Sequence, residues 1–452
     1  MAAARVRRTS VLERGPDGSV INCSELSGGL RVVTESVPGA RSVSVGVWVG
    51  VGSVDETPRL AGASHYLEHL LFKGTRFRTG YDIAAAVDAV GGELNAFTAH
   101  EYTCFYARML SDEAQLAVSL VCEVVLDATI AGADVDTERS VILEEIAMRD
   151  DDPEDTLADA FAAGMFVGHP VSAPVIGSIQ TISAMTRTQV AGYYHRRYTP
   201  GTMVVAVAGG VEHGDVLRWV RSAFRDRLGD ARKGSDGAVV RPAPPRGGRG
   251  RVGTRRAAVV VHRETEQAHL CIGVPAGHRN DPDRTALAVL SGVLGGGMSS
   301  RLFRTIREER GLAYSCYAAS SAYADVGAFS VYAGCQPEHL GEVTKLIGQE
   351  LVVVAESGVT TEELSRAKGQ LAGSLSLALE DSESRMSRIG KNLLVRTDFR
   401  TVDHEMDAIR GVTAEQVAGL AAALLRRPLT AAVVGPYAST DDLPAELTQL
   451  VG

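Results

Sequence analysis

The stretch that most constrains this chain is Ala63-Ser64-His65-Tyr66-Leu67-Glu68-His69-Leu70-Leu71-Phe72. Two histidines stand four residues apart with a glutamate between them. At 3.6 residues per turn, positions i and i+4 stack on one face of a helix, so both imidazoles reach a single metal ion. Glu68 lies close to the same face and can touch a metal-bound water without being a ligand. The order is H-x-x-E-H, the reverse of the commoner H-E-x-x-H zinc motif. Leu67, Leu70, Leu71 and Phe72 make the rest of the helix apolar, so it needs burial on one side. The bland alternative is a pair of histidines satisfied by ordinary core or surface contacts.

A metal held by two histidines needs at least one more protein ligand and a position left open for water. The segment Glu138-Arg139-Ser140-Val141-Ile142-Leu143-Glu144-Glu145-Ile146 offers three carboxylates. On a helix Glu138 and Glu145, seven apart, share a face with Val141 and Ile142 between them. Glu144 is turned about 100° away.

A repeat supports the choice of Glu145. Gln189-Val190-Ala191-Gly192 recurs 227 residues later as Gln416-Val417-Ala418-Gly419, each time ahead of an apolar strand. The same offset takes Arg139 onto Arg366, the histidine motif onto Gly292 to Gly296, and Glu145 onto Ala372. The order of elements is shared as well, which reads as a duplicated α/β domain. The second copy therefore lacks both histidines and the carboxylate together, so only one half holds the chemistry.

Expected elements alternate between strand and helix. Arg31 to Thr34 and Val43 to Val51 read as strands, and Tyr81 to Val90 as a helix ended by Gly91-Gly92. Glu93 to Phe97 and Tyr102 to Ala107 read as a hairpin, and helices are expected over Asp112 to Asp127 and Asp134 to Arg149. Asp150-Asp151-Asp152-Pro153-Glu154-Asp155 has two readings: a solvated helix end with Pro153 opening the next helix, or an acidic patch favouring basic peptide residues.

The expected division is an N-terminal domain 1–228, a linker 229–256 and a C-terminal domain 257–452. The linker holds Pro244-Pro245-Arg246-Gly247-Gly248-Arg249-Gly250-Arg251, which cannot supply a core. With 452 residues at 45% hydrophobic, two domains with real cores are within reach. A net charge of −9 argues against nucleic acid as the main partner. No apolar run reaches membrane-span length, so no membrane partner is expected. Met1 to Arg8 lack the apolar core of a secretory signal and are expected to fray. Six cysteines without C-x-x-C spacing read as free thiols in a reducing compartment, and the expected location is the cytoplasm.

The segment His65 to Thr75, ending Phe72-Lys73-Gly74-Thr75, resembles the zinc signature of the pitrilysin-type metallopeptidases (inverzincins), a family that includes insulysin and the mitochondrial processing peptidase. The Glu138 to Ile146 segment resembles that family's distal ligand segment, and the 76-residue gap from His69 to Glu145 suits it. The resemblance implies one zinc ion per chain held by His65, His69 and Glu145, with Glu68 as general base and Glu138 supporting the site without ligating. Gly91 to Thr98 resembles the edge strand on which substrate is laid, which assigns Asn95, Ala96 and Phe97 to peptide binding. Met298 to Phe303 and Arg307 to Ser315 resemble the segment carrying an Arg/Tyr substrate pair, here Arg307 and Tyr314.

The implied fold is α+β: two homologous domains of mostly antiparallel sheet covered by helices, forming half of a clamshell chamber. The implied activity is hydrolysis of peptide bonds in unfolded peptides or extended segments. The implied assembly is a homodimer, or a heterodimer with a related chain. The competing function is a non-catalytic, peptide-holding subunit. An intact ligand set argues against it, because a scaffold has no reason to keep buried ionisable groups unpaired.

Overall fold

The computed structural model describes residues 6–228, 241–247, 257–396 and 398–451. The chain opens with β1 (Val6–Arg14), β2 (Val20–Leu26), β3 (Arg31–Ser36) and β4 (Ser42–Val49). Next come α1 (Ala63–Leu71), α2 (Gly80–Asp88), β5 (Glu93–Thr98) and β6 (Thr103–Leu110). A helical stretch follows: α3 (Ala114–Asp127), α4 (Gly132–Asp151), α5 (Pro153–Met165), α6 (Ile179–Ala184) and α7 (Arg187–Arg197). β7 (Met203–Gly209), α8 (His213–Ala223) and α9 (Arg225–Leu228) close the first half. The second half begins with β8 (Ala257–His262), β9 (Ala268–Pro275), α10 (Arg284–Gly295), β10 (Ala313–Ala322) and β11 (Gly327–Cys335). It ends with α11 (Leu340–Ser357), α12 (Thr361–Ala378), α13 (Ser382–Val395), α14 (Val402–Gly411), α15 (Ala414–Leu425), β12 (Thr430–Gly435) and α16 (Ala445–Val451).

The chain forms two compact units. The first comprises Met1–Ile146, Pro174–Pro245 and Leu377–Thr401; the second comprises Ala147–Ala173, Arg246–Ser376 and Val402–Gly452. The first unit holds a seven-stranded sheet in the order β1-β2-β3-β7-β4-β6-β5, antiparallel except for the β3–β7 pair. The second holds a five-stranded sheet, β10-β11-β9-β12-β8, antiparallel except for β12–β8. The α+β class expected from the resemblance is the class observed.

The duplication is visible in the register itself. Arg31 faces Val204 in the first sheet, and Ala258 faces Ala431 in the second, each pair displaced by the same 227 residues. The repeated Gln189 and Gln416 have the same job. Each is the third residue of a helix whose preceding threonine, Thr186 or Thr413, accepts its backbone N–H in a capping box.

The units differ from the sequence division because two helices change sides. Residues 147–173, expected in the first domain, belong to the second unit, and residues 377–401 belong to the first. The cause is the central strands. β4 and β7 are buried on both faces, which explains their near-continuous Val and Ala runs. α13 covers one face of that sheet, placing Met386 and Ile389 against Trp48, Val33, Val204 and Ala206. Arg385 binds Glu35 at 2.6 Å and Asp17 at 2.9 Å, pinning the helix to the sheet. In the second unit α5 does the equivalent work: a Cβ on Gly273 would stand 2.6 Å from the Phe161 ring.

Several local expectations change. Val6 to Arg8, expected to fray, lie in β1 and pair with β2, whose polar residues show no clear alternation. The basic linker lies largely outside the described residues. Its described part, 241–247, has no helix or strand, and Ala243 N–H donates to the Gly201 carbonyl at 2.8 Å. Pro153 opens α5, and Asp152 caps it by accepting from Glu154 N–H at 2.7 Å and Asp155 N–H at 3.2 Å. All six cysteines are free, five of them buried. No single described helix is long and apolar enough to cross a membrane.

Gly390 in α13 tests the exchanged packing. Alanine normally stabilises a helix interior by about 0.5–1 kcal/mol over glycine. Here a Cβ would stand 2.4 Å from Nε1 of the buried Trp48. Gly390→Ala is therefore expected to destabilise by about 1–3 kcal/mol, read as a lower urea midpoint at unchanged slope. A raised midpoint would show that α13 does not rest on Trp48.

Candidate metal centre

α1 begins at a left-handed residue. Gly62 stands at φ 91°, and a Cβ there would meet the Ile176 carbonyl at 2.6 Å, so glycine is required on both counts. Its amide and that of Ser64 are both taken by Glu56, at 2.7 Å each, which satisfies two donors of the first turn. Burial pushes the Glu56 carboxyl up to about 7, against the pull of these bonds. Tyr66, Leu67, Leu70 and Leu71 are buried in the core, which leaves His65, Glu68 and His69 on the half-buried side.

α4 supplies the opposing face. The buried Tyr66 hydroxyl donates to the Val135 carbonyl, tying α1 to α4. Arg139 donates to the Met185 carbonyl at 3.0 and 3.3 Å and fixes α4 from its other side. Ile142 and Ile146 are buried; Val141, expected on the same face, is exposed, as is Glu144. Glu145 Oε2 stands 3.4 Å from His69 Nε2 and 3.7 Å from His65 Nε2. One ligand atom from each of the three residues lies within 4.8 Å of the others.

This set fits zinc. Donors about 2.0–2.1 Å from a tetrahedral ion stand roughly 3.3 Å apart, close to the observed spacings. Burial, with the neighbouring His69, lowers the His65 imidazole to about 4, so at neutral pH it is uncharged and has a lone pair to offer. Glu138 is 3% exposed and accepts from His69 Nδ1 at 3.0 Å. That bond puts the proton on Nδ1 and leaves Nε2 free toward Glu145. The other Glu138 oxygen takes the Lys73 ammonium at 2.7 Å.

Glu68 is close by. Burial raises its carboxyl, while Thr98 and His69 beside it pull the other way. Its buried Oε2 has no hydrogen-bond partner among the described residues. Thr98 ends β5, which lies at the margin of the first sheet with one side paired to β6. Asn95 and Phe97 are exposed on this strand and Ala96 is buried. Asn95 Oδ1 accepts from the Ala96 N–H at 2.8 Å.

Arg307 and Tyr314 belong to the second unit. The Arg307 guanidinium lies 4.5 Å from the Tyr314 ring centre and 4.7 Å from that of Phe303, and Tyr314 is 75% exposed. Arg307 rides on a π-helical turn, Phe303–Glu308. Phe303 went unassigned in the sequence, although its four-residue spacing from Arg307 was a signal. Lys73, four residues after His69, and Glu56 were missed as well; Glu56 has no motif that marks it as a cap.

Residues 31–178 match the family model described as insulinase (peptidase family M16), and residues 184–371 match the peptidase M16 inactive domain. A relative from Mycobacterium leprae, named an uncharacterized zinc protease, is 52% identical over 94% of each chain. Relatives of the same description from Streptomyces coelicolor and Bacillus subtilis are 47% and 36% identical, covering 96% and 90% of this chain and 94% and 96% of their own. Among solved structures, a protease from Helicobacter pylori is similar in fold, with a TM-score of 0.83 at 21% identity, covering 96% of this chain and all of its own.

Glu56 yields a pH prediction. Its folded pKa lies above the ordinary glutamate value of about 4.3, so ionisation costs the folded state more than the unfolded one. Its contribution is complete below about pH 4 and is lost as pH rises through 7. In chelator-treated protein, Glu56→Gln is expected to cost about 1 kcal/mol at pH 5 and measurably less at pH 8, from urea midpoints. A cost that grows with pH contradicts the assignment.

Proposed function

This chain belongs to the insulinase-type M16 peptidase family, and on that premise we propose that it is a zinc-dependent endopeptidase acting on unfolded peptides or extended segments. The observation that carries the reading is the convergence of His65, His69 and Glu145, with the partnerless Glu68 carboxylate oxygen on the same helix. His65, His69 and Glu145 would hold one zinc per chain. When bound, zinc supplies a Lewis acid that makes water acidic near pH 7 and polarises a carbonyl.

The remaining work falls to side chains. Glu68 Oε2 takes the proton of the attacking water, and its raised pKa suits it to pass that proton to the leaving amine. Glu138 holds His69 in the tautomer that ligates. An extended peptide adds to the free side of β5 as one more strand, which brings its backbone past Thr98 to Glu68. To pair fully, it displaces Asn95 Oδ1 from the Ala96 N–H. Arg307 and Tyr314 bind substrate carbonyl or carboxylate groups. They are supplied by the second subunit of a homodimer, so that mixing inactive His69→Ala and Tyr314→Phe chains should restore up to about a quarter of wild-type activity once subunits exchange.

Two substitutions separate the roles. His69→Ala should lose the zinc, measured as metal per chain after gel filtration. Glu68→Gln should keep it and lose about 10²–10⁴-fold in peptide cleavage, because only the proton carrier is gone. Cleavage by Glu68→Gln at the wild-type rate would overturn the reading.

A further inference from the structure

We propose that Lys73 is a positioning residue for the metal centre, acting through Glu138 on His69. The inference rests on the metal-site reading above and concerns a residue outside the ligand set.

Lys73 stands two residues beyond the end of α1 and is held from both sides. Its N–H donates to the Leu70 carbonyl at 3.2 Å, and its own carbonyl accepts from Gly80 N–H at 3.2 Å. A Cβ on Gly80 would come within 3.1 Å of that carbonyl, so the turn closes tightly on Lys73. From this fixed base the ammonium reaches Glu138 Oε1 at 2.7 Å, while Glu138 Oε2 takes His69 Nδ1 at 3.0 Å. One carboxylate thus bridges a cation and an imidazole, using one oxygen for each.

The geometry makes the bridge cooperative. Rotation of the Glu138 carboxylate about its terminal bond forfeits both contacts at once, so the lysine that fixes Oε1 also fixes where Oε2 lies. Oε2 in turn sets the plane of the His69 ring and keeps the proton on Nδ1, which leaves the Nε2 lone pair toward Glu145. Without Lys73, a carboxylate 4% exposed at its side chain keeps a single partner and is free to turn off the imidazole. The lysine side chain itself is 41% exposed, and ion pairs of that kind add little to global stability. Its effect is therefore expected on the metal and not on the fold.

The test is zinc affinity, measured by competition with a chromophoric chelator, with the visible spectrum of the cobalt-loaded protein as a second readout. Lys73→Met should weaken zinc binding by about tenfold or more, the scale seen when groups behind a ligating histidine are removed. It should also alter the cobalt bands, and Lys73→Arg should recover most of both. In a Glu138→Gln background, Lys73→Met should cause no further loss, because the intermediary is already gone. Lys73→Gln is carried in parallel, so that a folding defect in the methionine variant leaves the comparison intact. Wild-type affinity in both Lys73→Met and Lys73→Gln, or an equal loss with and without Glu138, overturns the proposal. A wild-type chain that takes up no zinc overturns the metal centre itself; zinc-binding wild type with indifferent lysine variants overturns only the role of Lys73.

Discussion

Everything at this site depends on how α1 is held against α4. Two contacts do it: the Tyr66 hydroxyl on the Val135 carbonyl, and His69 Nδ1 on the Glu138 carboxylate. Both acceptors are buried on α4 or belong to its backbone, so losing either donor leaves a polar group without water at a cost of about 1–3 kcal/mol. The same two contacts bring Glu145 Oε2 to 3.4 and 3.7 Å from the histidine nitrogens. Stability and ligand geometry are thus set by the same bonds.

The duplicated half shows what the fold does when that demand is absent. The segment Gly292 to Gly296, which stands where the first half has its histidines, lies at the end of α10. A Cβ on Gly295 would come within 2.2 Å of the Ala318 N, so small residues there let α10 press onto β10. The first half spends the same stretch on ligands and caps. One architecture serves close packing in one copy and chemistry in the other.

How much of this was legible depends on range. The paired histidines were readable because the i, i+4 relation is local and helical geometry alone stacks them. Glu145 was distinguishable from Glu144 because a helix turns each residue by about 100°, and the repeat removed Glu145 along with the histidines. Capping threonines and the strand register could be traced from one half to the other for the same reason. Other features were hidden by their distance in the chain. Nothing near Ser382 says that α13 will cover β4, because the demand comes from strands more than 300 residues earlier that are apolar on both faces. β1 was missed because polar edge residues such as Arg7, Arg8 and Thr9 carry no alternation that marks a strand. Lys73 could be placed near His69 by spacing, yet its partner Glu138 is on another helix. The pairing appears only once α1 and α4 meet.

The central claim is that two imidazoles and one carboxylate, and none of the six thiols, form the metal centre. Zinc-edge X-ray absorption of the loaded protein reads this directly. The expected spectrum has a first shell of nitrogen and oxygen at about 2.0–2.1 Å, with outer-shell scattering from two imidazole rings. A sulfur shell at about 2.3 Å, or scattering from a single imidazole, would contradict it.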